Sequence, residues 1–256
     1  MMLHHKVAMD VRERKIRTAE QGFTLVELSV VVAIVALVAT FGLDIVGTYM
    51  QRTAHNTTRD KLEVIEERLQ EFREANGRYP CPADQTLGYT NTNYGVEACG
   101  TGNVVSVGSA YIGTLPIRAL HLPMDYIGDS WEHKFTYAVT TALTTDIDSA
   151  NGNLRVTGGH LDSASDYYDL TETPSTAAYV VLSHGQDGKG AYSLRGTALS
   201  KACIPATTTL HDDMIDVENC DHTISGSEDV WFFEAVYNDG DIEDRYFDDL
   251  ILWKVK

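Results

Sequence analysis

A single carboxylate, Glu27, lies inside the most apolar run of the chain, "GFTLVELSVVVAIVALVAT" at 22–40. Carrying a carboxylate to the centre of a bilayer costs about 2.5–3.5 kcal/mol on insertion scales. Glu27 sits only one helical turn into the run, so one chain inserted alone keeps it near the headgroups. Packed among other such helices it loses that option and has to find a cation, because a buried acid without a partner costs several kcal/mol. Its chemistry is therefore pairing, and a wrong pairing is penalised more than a right one is rewarded.

Other residues invite chemistry with less support. Ser183 and His184 are adjacent in "SHGQDG". Neighbours on a strand point to opposite faces, and no G-x-S-x-G elbow is present, so a nucleophile–base pair is not expected. His121, His133, His160, His211 and His222 are dispersed. The four cysteines fall into two close pairs, Cys81 with Cys99 and Cys203 with Cys220, and none forms a C-x-x-C zinc signature. In an exported body they read as two local disulfides, each worth roughly 3 kcal/mol in the chain-entropy model. Buried free thiols are the alternative.

The chain has 256 residues and a net charge of −17, which argues against a nucleic-acid partner, since no basic face is available to displace counterions. Residues 1–22 carry Lys6, Arg12, Arg14, Lys15 and Arg17 against Asp10, Glu13 and Glu20, leaving a body of net −19. Basic residues flanking an apolar span tend to stay in the cytoplasm. Residues 1–22 read as a polar leader and 23–45 as an apolar helix long enough to span a bilayer. A secretory signal peptide is the competing reading, but its apolar region is usually shorter and uncharged.

Helix character continues through 46–76. Leu62, Ile65, Leu69 and Phe72 draw one apolar stripe on a charged surface, expected to pack on a sheet of the same chain rather than on a partner coiled coil. Asn76-Gly77 supplies the stop, and Pro80 and Pro82 exclude helix beyond it. The spacing then predicts a loop to about residue 110. Strands are expected in "KFTYAV" (134–139), "AAYVVLS" (177–183), "AYSLRG" (191–196), "VWFFEAVY" (230–237) and "LILWKV" (250–255). "HGQDGKG" (184–190) is expected to be a hairpin connection between the second and third of them. The fold class is α+β: a long N-terminal helix on a mainly antiparallel sheet, with 77–256 as a β-rich head.

"GFTLVELSVVVAIVALVA" resembles the N-terminal cleavage and methylation motif of type IV prepilins and of type II secretion pseudopilins. "GRYPCP" and "FDDLILW" are similar, more loosely, to head elements of some pseudopilin-like proteins. The resemblance implies that a prepilin peptidase cuts after Gly22 on the cytoplasmic side and N-methylates the new amine of Phe23. It implies that Glu27 is the family's acid at the fifth mature position. That amine is then its natural cation, on the same or a neighbouring subunit, and Glu27 becomes a register key. The implied partners are other pilin or pseudopilin subunits and the inner-membrane assembly platform. The implied location is the bacterial inner membrane, N-terminus cytoplasmic and head periplasmic, and afterwards a filament. The protein is expected to be a structural subunit and no enzyme, without an obligatory cofactor.

A 22-residue leader is longer than is common for family members whose first mature residue is Phe, and a start at Met9 would shorten it. Some pseudopilins bind calcium in a late loop, and Asp239, Asp241, Glu243 and Asp244 around Gly240 offer oxygen ligands here. A solvated acidic loop is the other reading. A pseudopilin subunit is the first expectation, a minor (tip or adhesive) type IV pilin the second, and a signal-anchored periplasmic enzyme or binding protein the alternative of another class.

Overall fold

The absence of proline between Phe23 and Ala75 lets one helix form, and α1 runs Leu25–Asn76. The computed structural model describes residues 22–158, 168–171, 176–199, 219–220, 230–235 and 247–256, with only the backbone of 39, 41–45 and 168–169. By internal contacts the chain divides into two units, Met1–Tyr49 and Met50–Lys256. α1 ends where Gly77 takes a left-handed φ of 65° and donates its N–H to the Arg73 carbonyl, 2.8 Å away. The Asn76 amide caps the Phe72 carbonyl at 2.8 Å.

Within Met50–Lys256 the strands are β1 (Val105–Val107), β2 (Ala110–Thr114), β3 (Thr136–Thr140), β4 (Arg155–Gly158), β5 (Tyr168–Asp169), β6 (Ala177–Ser183), β7 (Trp231–Glu234) and β8 (Leu250–Val255). One sheet has the order β1-β2-β3-β6-β8, antiparallel throughout, and a smaller one has the order β5-β4-β7. In the smaller sheet β4 pairs antiparallel with β5 and parallel with β7. Two 3₁₀ turns, Met124–Ile127 and Thr141–Thr144, complete the described elements.

The predicted stripe does pack on a sheet of its own chain. Leu62, Ile65 and Leu69 are buried, with Phe72 beside them, against Tyr137, Val139, Tyr179 and Val181. Opposite, Ala110, Ile112, Ala138 and Val180 meet Leu154 and, from the small sheet, Val156 and Phe232. The main sheet is thus covered on both faces, which is why all seven residues of β6 are buried and its sequence reads as one apolar run. Polar contacts fix the helix against the layer. Lys61 Nζ donates to the carbonyls of Asp125 and Gly128, both at 2.8 Å, and Thr58 bonds Ser130 at 3.1 Å.

Three strand expectations change. "KFTYAV" becomes a strand only from Thr136, although Phe135, Tyr137 and Val139 share the helix-side core as the alternation requires. "AYSLRG" is not a strand: Gly196 N–H bonds back to Ser193, and Gly196 holds a φ of 83° that turns the chain. It could not have extended the sheet beside β6, because β3 and β8 already occupy both of its edges. "HGQDGKG" is therefore no hairpin loop, and it closes on itself through Gly188 N–H to the His184 carbonyl at 2.9 Å. The expected loop before residue 110 also holds β1, joined to β2 through Gly108-Ser109. "LILWKV" is β8 as expected, and "VWFFEAVY" contributes Trp231–Glu234.

Lys134 holds the disulfide-bearing loop to this sheet. Its buried Nζ donates to the carbonyls of Gln85 (2.8 Å) and Leu87 (2.6 Å) and lies 5.0 Å from the centre of the Tyr94 ring. Burial lowers its pKa from 10.5 to about 8, opposed by the charge of Asp84. Between those values the unfolded chain holds more protons than the folded one, so the contribution of Lys134 to stability rises with pH across the window. Urea unfolding of wild type and Lys134→Met at pH 8 and pH 10 should show the wild type gaining relative to the variant at the higher pH. An unchanged difference would contradict this assignment.

Candidate functional site

Helix α1 starts where its sequence supplies a cap. Residues 22–24 precede the helix, and the first helical bond runs from Leu28 N–H to the Thr24 carbonyl at 3.1 Å. Thr24 is thus the N-cap, and Glu27 stands three residues on. The two bond reciprocally. Glu27 N–H donates to Thr24 Oγ1 at 3.2 Å, while Glu27 Oε2 accepts Thr24 N–H and Thr24 Oγ1–H, each at 2.9 Å. This is a capping box, which satisfies helix N–H groups that would otherwise lack partners. Both bonds to the acid fall on Oε2, and Oε1 accepts neither of them. The carboxylate also sits where the positive end of the helix dipole stabilises it.

Just outside the cap lie Gly22 and Phe23, both exposed, Phe23 at 85%. Among the described residues, nothing lies within 4 Å of where a Cβ on Gly22 would stand. Beyond the cap, Leu25, Val26, Leu28, Val30, Val31, Val32, Ile34, Val35, Leu37 and Val38 are all exposed. They occupy every side of the helix. An apolar surface this continuous is a contact surface for something else. Among the described residues, no helix is long and apolar enough to cross a membrane, so the expected span over 23–45 is helical from Leu25 onward and not shown as a bilayer crossing.

Residues 17–43 match the family model described as the prokaryotic N-terminal methylation motif. This is the prepilin-type cleavage and methylation motif. No curated protein and no solved structure gives a significant match to the chain. The prepilin motif covers Gly22, Phe23, Thr24 and Glu27 together with the exposed apolar turns to Val38. Thr24 is the residue that sequence reasoning passed over. The T-x-x-E spacing directly before an apolar run signals a capping box, and attention to Glu27 as an isolated charge hid it.

The other sequence candidates lie apart from this motif in the chain. Cys81 and Cys99 form the expected disulfide, with Cα atoms 5.1 Å apart. Glu97 braces it, accepting Cys81 N–H at 2.7 Å and a two-pronged salt bridge from Arg78. The Arg78 guanidinium in turn stacks over Phe72 of α1. Cys220 is also disulfide-bonded, and its expected partner Cys203 lies outside the described residues. Asp239, Asp241, Glu243 and Asp244, named for calcium, lie outside them too.

Among the described residues, the one group with metal-ligand spacing is Cys81, Glu97 and Cys99, whose sulfurs are committed to the disulfide. Ser183 and His184 have separate partners: Ser183 Oγ donates to Asp129 Oδ2 at 2.7 Å, and His184 Nε2 meets Thr136 Oγ1 at 2.8 Å. Asp129 is buried, and its other oxygen accepts the N–H groups of Trp131 and His133, both at 2.9 Å. That arrangement ties the turn before β3 to the end of β6.

Proposed function

We propose that the protein is a prepilin that is cut between Gly22 and Phe23, N-methylated on Phe23 and assembled into a filament through the first half of α1. The observation that carries this reading is the prepilin motif at 17–43 on a helix whose apolar side chains are exposed on every side. In the membrane those side chains face lipid, with residues 23–45 spanning the bilayer, the leader in the cytoplasm and the head outside. In the filament they face the same segments of other subunits. Exchanging lipid for helix changes the apolar term little, so packing and polar pairing decide the register. Glu27 supplies that pairing: Oε2 is held by Thr24, and the carboxylate charge pairs with the Phe23 amine created by cleavage.

Of the filament systems, a type II secretion pseudopilus is the reading we adopt, and the role is structural rather than enzymatic. A minor, tip-proximal subunit is the second reading. It is favoured by the three-stranded layer that covers the outer face of the main sheet, a layer that burying the helix stripe does not require. The processing step is tested with Gly22→Leu in a host with prepilin peptidase. A side chain there obstructs the close backbone approach a peptidase needs. Processed product should fall at least about tenfold while membrane association persists. Equal processing of wild type and variant would refute cleavage at this bond.

A further inference from the structure

The capping pair does more than finish the helix, because of which N–H it takes. In an α-helix continued toward the leader, Glu27 N–H would bond the carbonyl four residues back, that of Phe23. In the structure it bonds Thr24 Oγ1 instead. The Thr24 hydroxyl therefore competes for the donor that would draw Phe23 into the helix, and Glu27 Oε2 engages the Thr24 N–H in the same way. Upstream, Thr18 and Gln21 repeat the capping spacing in the sequence, so an earlier helix start is encoded as well. Gly22 and Phe23 stand outside the helical ladder only while the Thr24 cap holds.

We propose that the Thr24–Glu27 pair positions the scissile bond: it starts the helix just past Phe23 and presents Gly22–Phe23 to the peptidase as extended backbone. This rests on the processing reading above. Hydrolysis adds water across the amide, the hydroxyl going to the Gly22 carbonyl carbon. The C–N bond breaks, and the proton goes to the Phe23 nitrogen. Attack requires the Gly22 carbonyl and the flanking N–H groups to be available to the enzyme, and in a helix they are bonded to the chain itself. Thr24 is thus a positioning residue that acts through the backbone.

The test is cleavage of the full-length precursor, in detergent or membranes, by a purified prepilin peptidase, read as initial rate. Thr24→Val keeps the shape and removes the hydroxyl. Its rate should fall about fivefold, the factor that a lost N-cap side chain typically costs. Thr24→Ser and Glu27→Gln keep the capping bonds and should stay within about twofold of wild type. The decisive variant is Thr24→Val with Leu25→Pro. Proline at the first helical position blocks extension toward the leader and holds the preceding residue extended, so it should restore the rate. Wild-type speed for Thr24→Val alone overturns the proposal. So does failure of the proline to restore it, which would mean that the enzyme reads the hydroxyl directly. A wild-type precursor left uncut between Gly22 and Phe23 would instead overturn the processing reading, and this proposal with it.

Discussion

Glu27→Ala should insert into the membrane normally and fail to enter filaments, with incorporation reduced by about 10²- to 10³-fold. The sign at each step follows from where the acid sits. Insertion of a single chain is not impaired by removing a carboxylate that costs about 2.5–3.5 kcal/mol at the bilayer centre. Assembly suffers because the Phe23 amine is then buried among helices without a counter-ion. Breaking one partner out of a buried pair costs about 3–5 kcal/mol, and each 1.4 kcal/mol is a factor of ten. Loss of the capping bonds with Thr24 adds a smaller cost. Glu27→Gln separates the two effects, because the amide can still accept the Thr24 N–H but carries no charge. It should be processed like wild type and assemble as poorly as Glu27→Ala. The measurement is the ratio of sheared filament to membrane-bound subunit, and an unchanged ratio for Glu27→Ala would refute pairing as the register device.

The second large effect lies in the head. Cys81→Ser opens a loop closed by residues 18 apart, and the head should lose roughly 3 kcal/mol. Cys81 is buried, and its N–H ties the segment after α1 to Glu97, which holds Arg78 and through it Phe72. Urea unfolding of the oxidised protein should show the loss, with Cys99→Ser and the double variant no worse than the single one, since all three open the same loop. A loss under about 1 kcal/mol would mean that the unfolded loop already stays nearly closed without the bond.

What could be read from residues alone was whatever carried a strong period or a covalent constraint. The stripe Leu62, Ile65, Leu69 and Phe72 named both the helix face and its cover, and the Cys81–Cys99 spacing named its bond. Strands β6 and β8 were legible because each is long, β-branched or aromatic, and bounded by turns. Strands β4 and β5 were not, being four and two residues long with no pattern to set them apart from loop. Both are held by pairing, and Val156 of β4 shares a core with Ala138 and Val180, which is tertiary information. "AYSLRG" misled for the opposite reason: it alternates like a strand, yet the glycines at both its ends hold positive φ and turn the chain. At the N-terminus, Gly22, Phe23 and Glu27 could be read from the motif. The role of Thr24 became visible only when its hydroxyl was seen to hold the Glu27 N–H.

The central claim is that cleavage between Gly22 and Phe23 creates the cation that Glu27 pairs with. Mass spectrometry of the mature N-terminus, from protein expressed with its prepilin peptidase, addresses it most directly. The account predicts a chain that begins at Phe23 and carries one extra methyl group on its α-amine. A chain that retains residue 1, or that begins near residue 40 as a secretory signal peptidase would leave it, would contradict it.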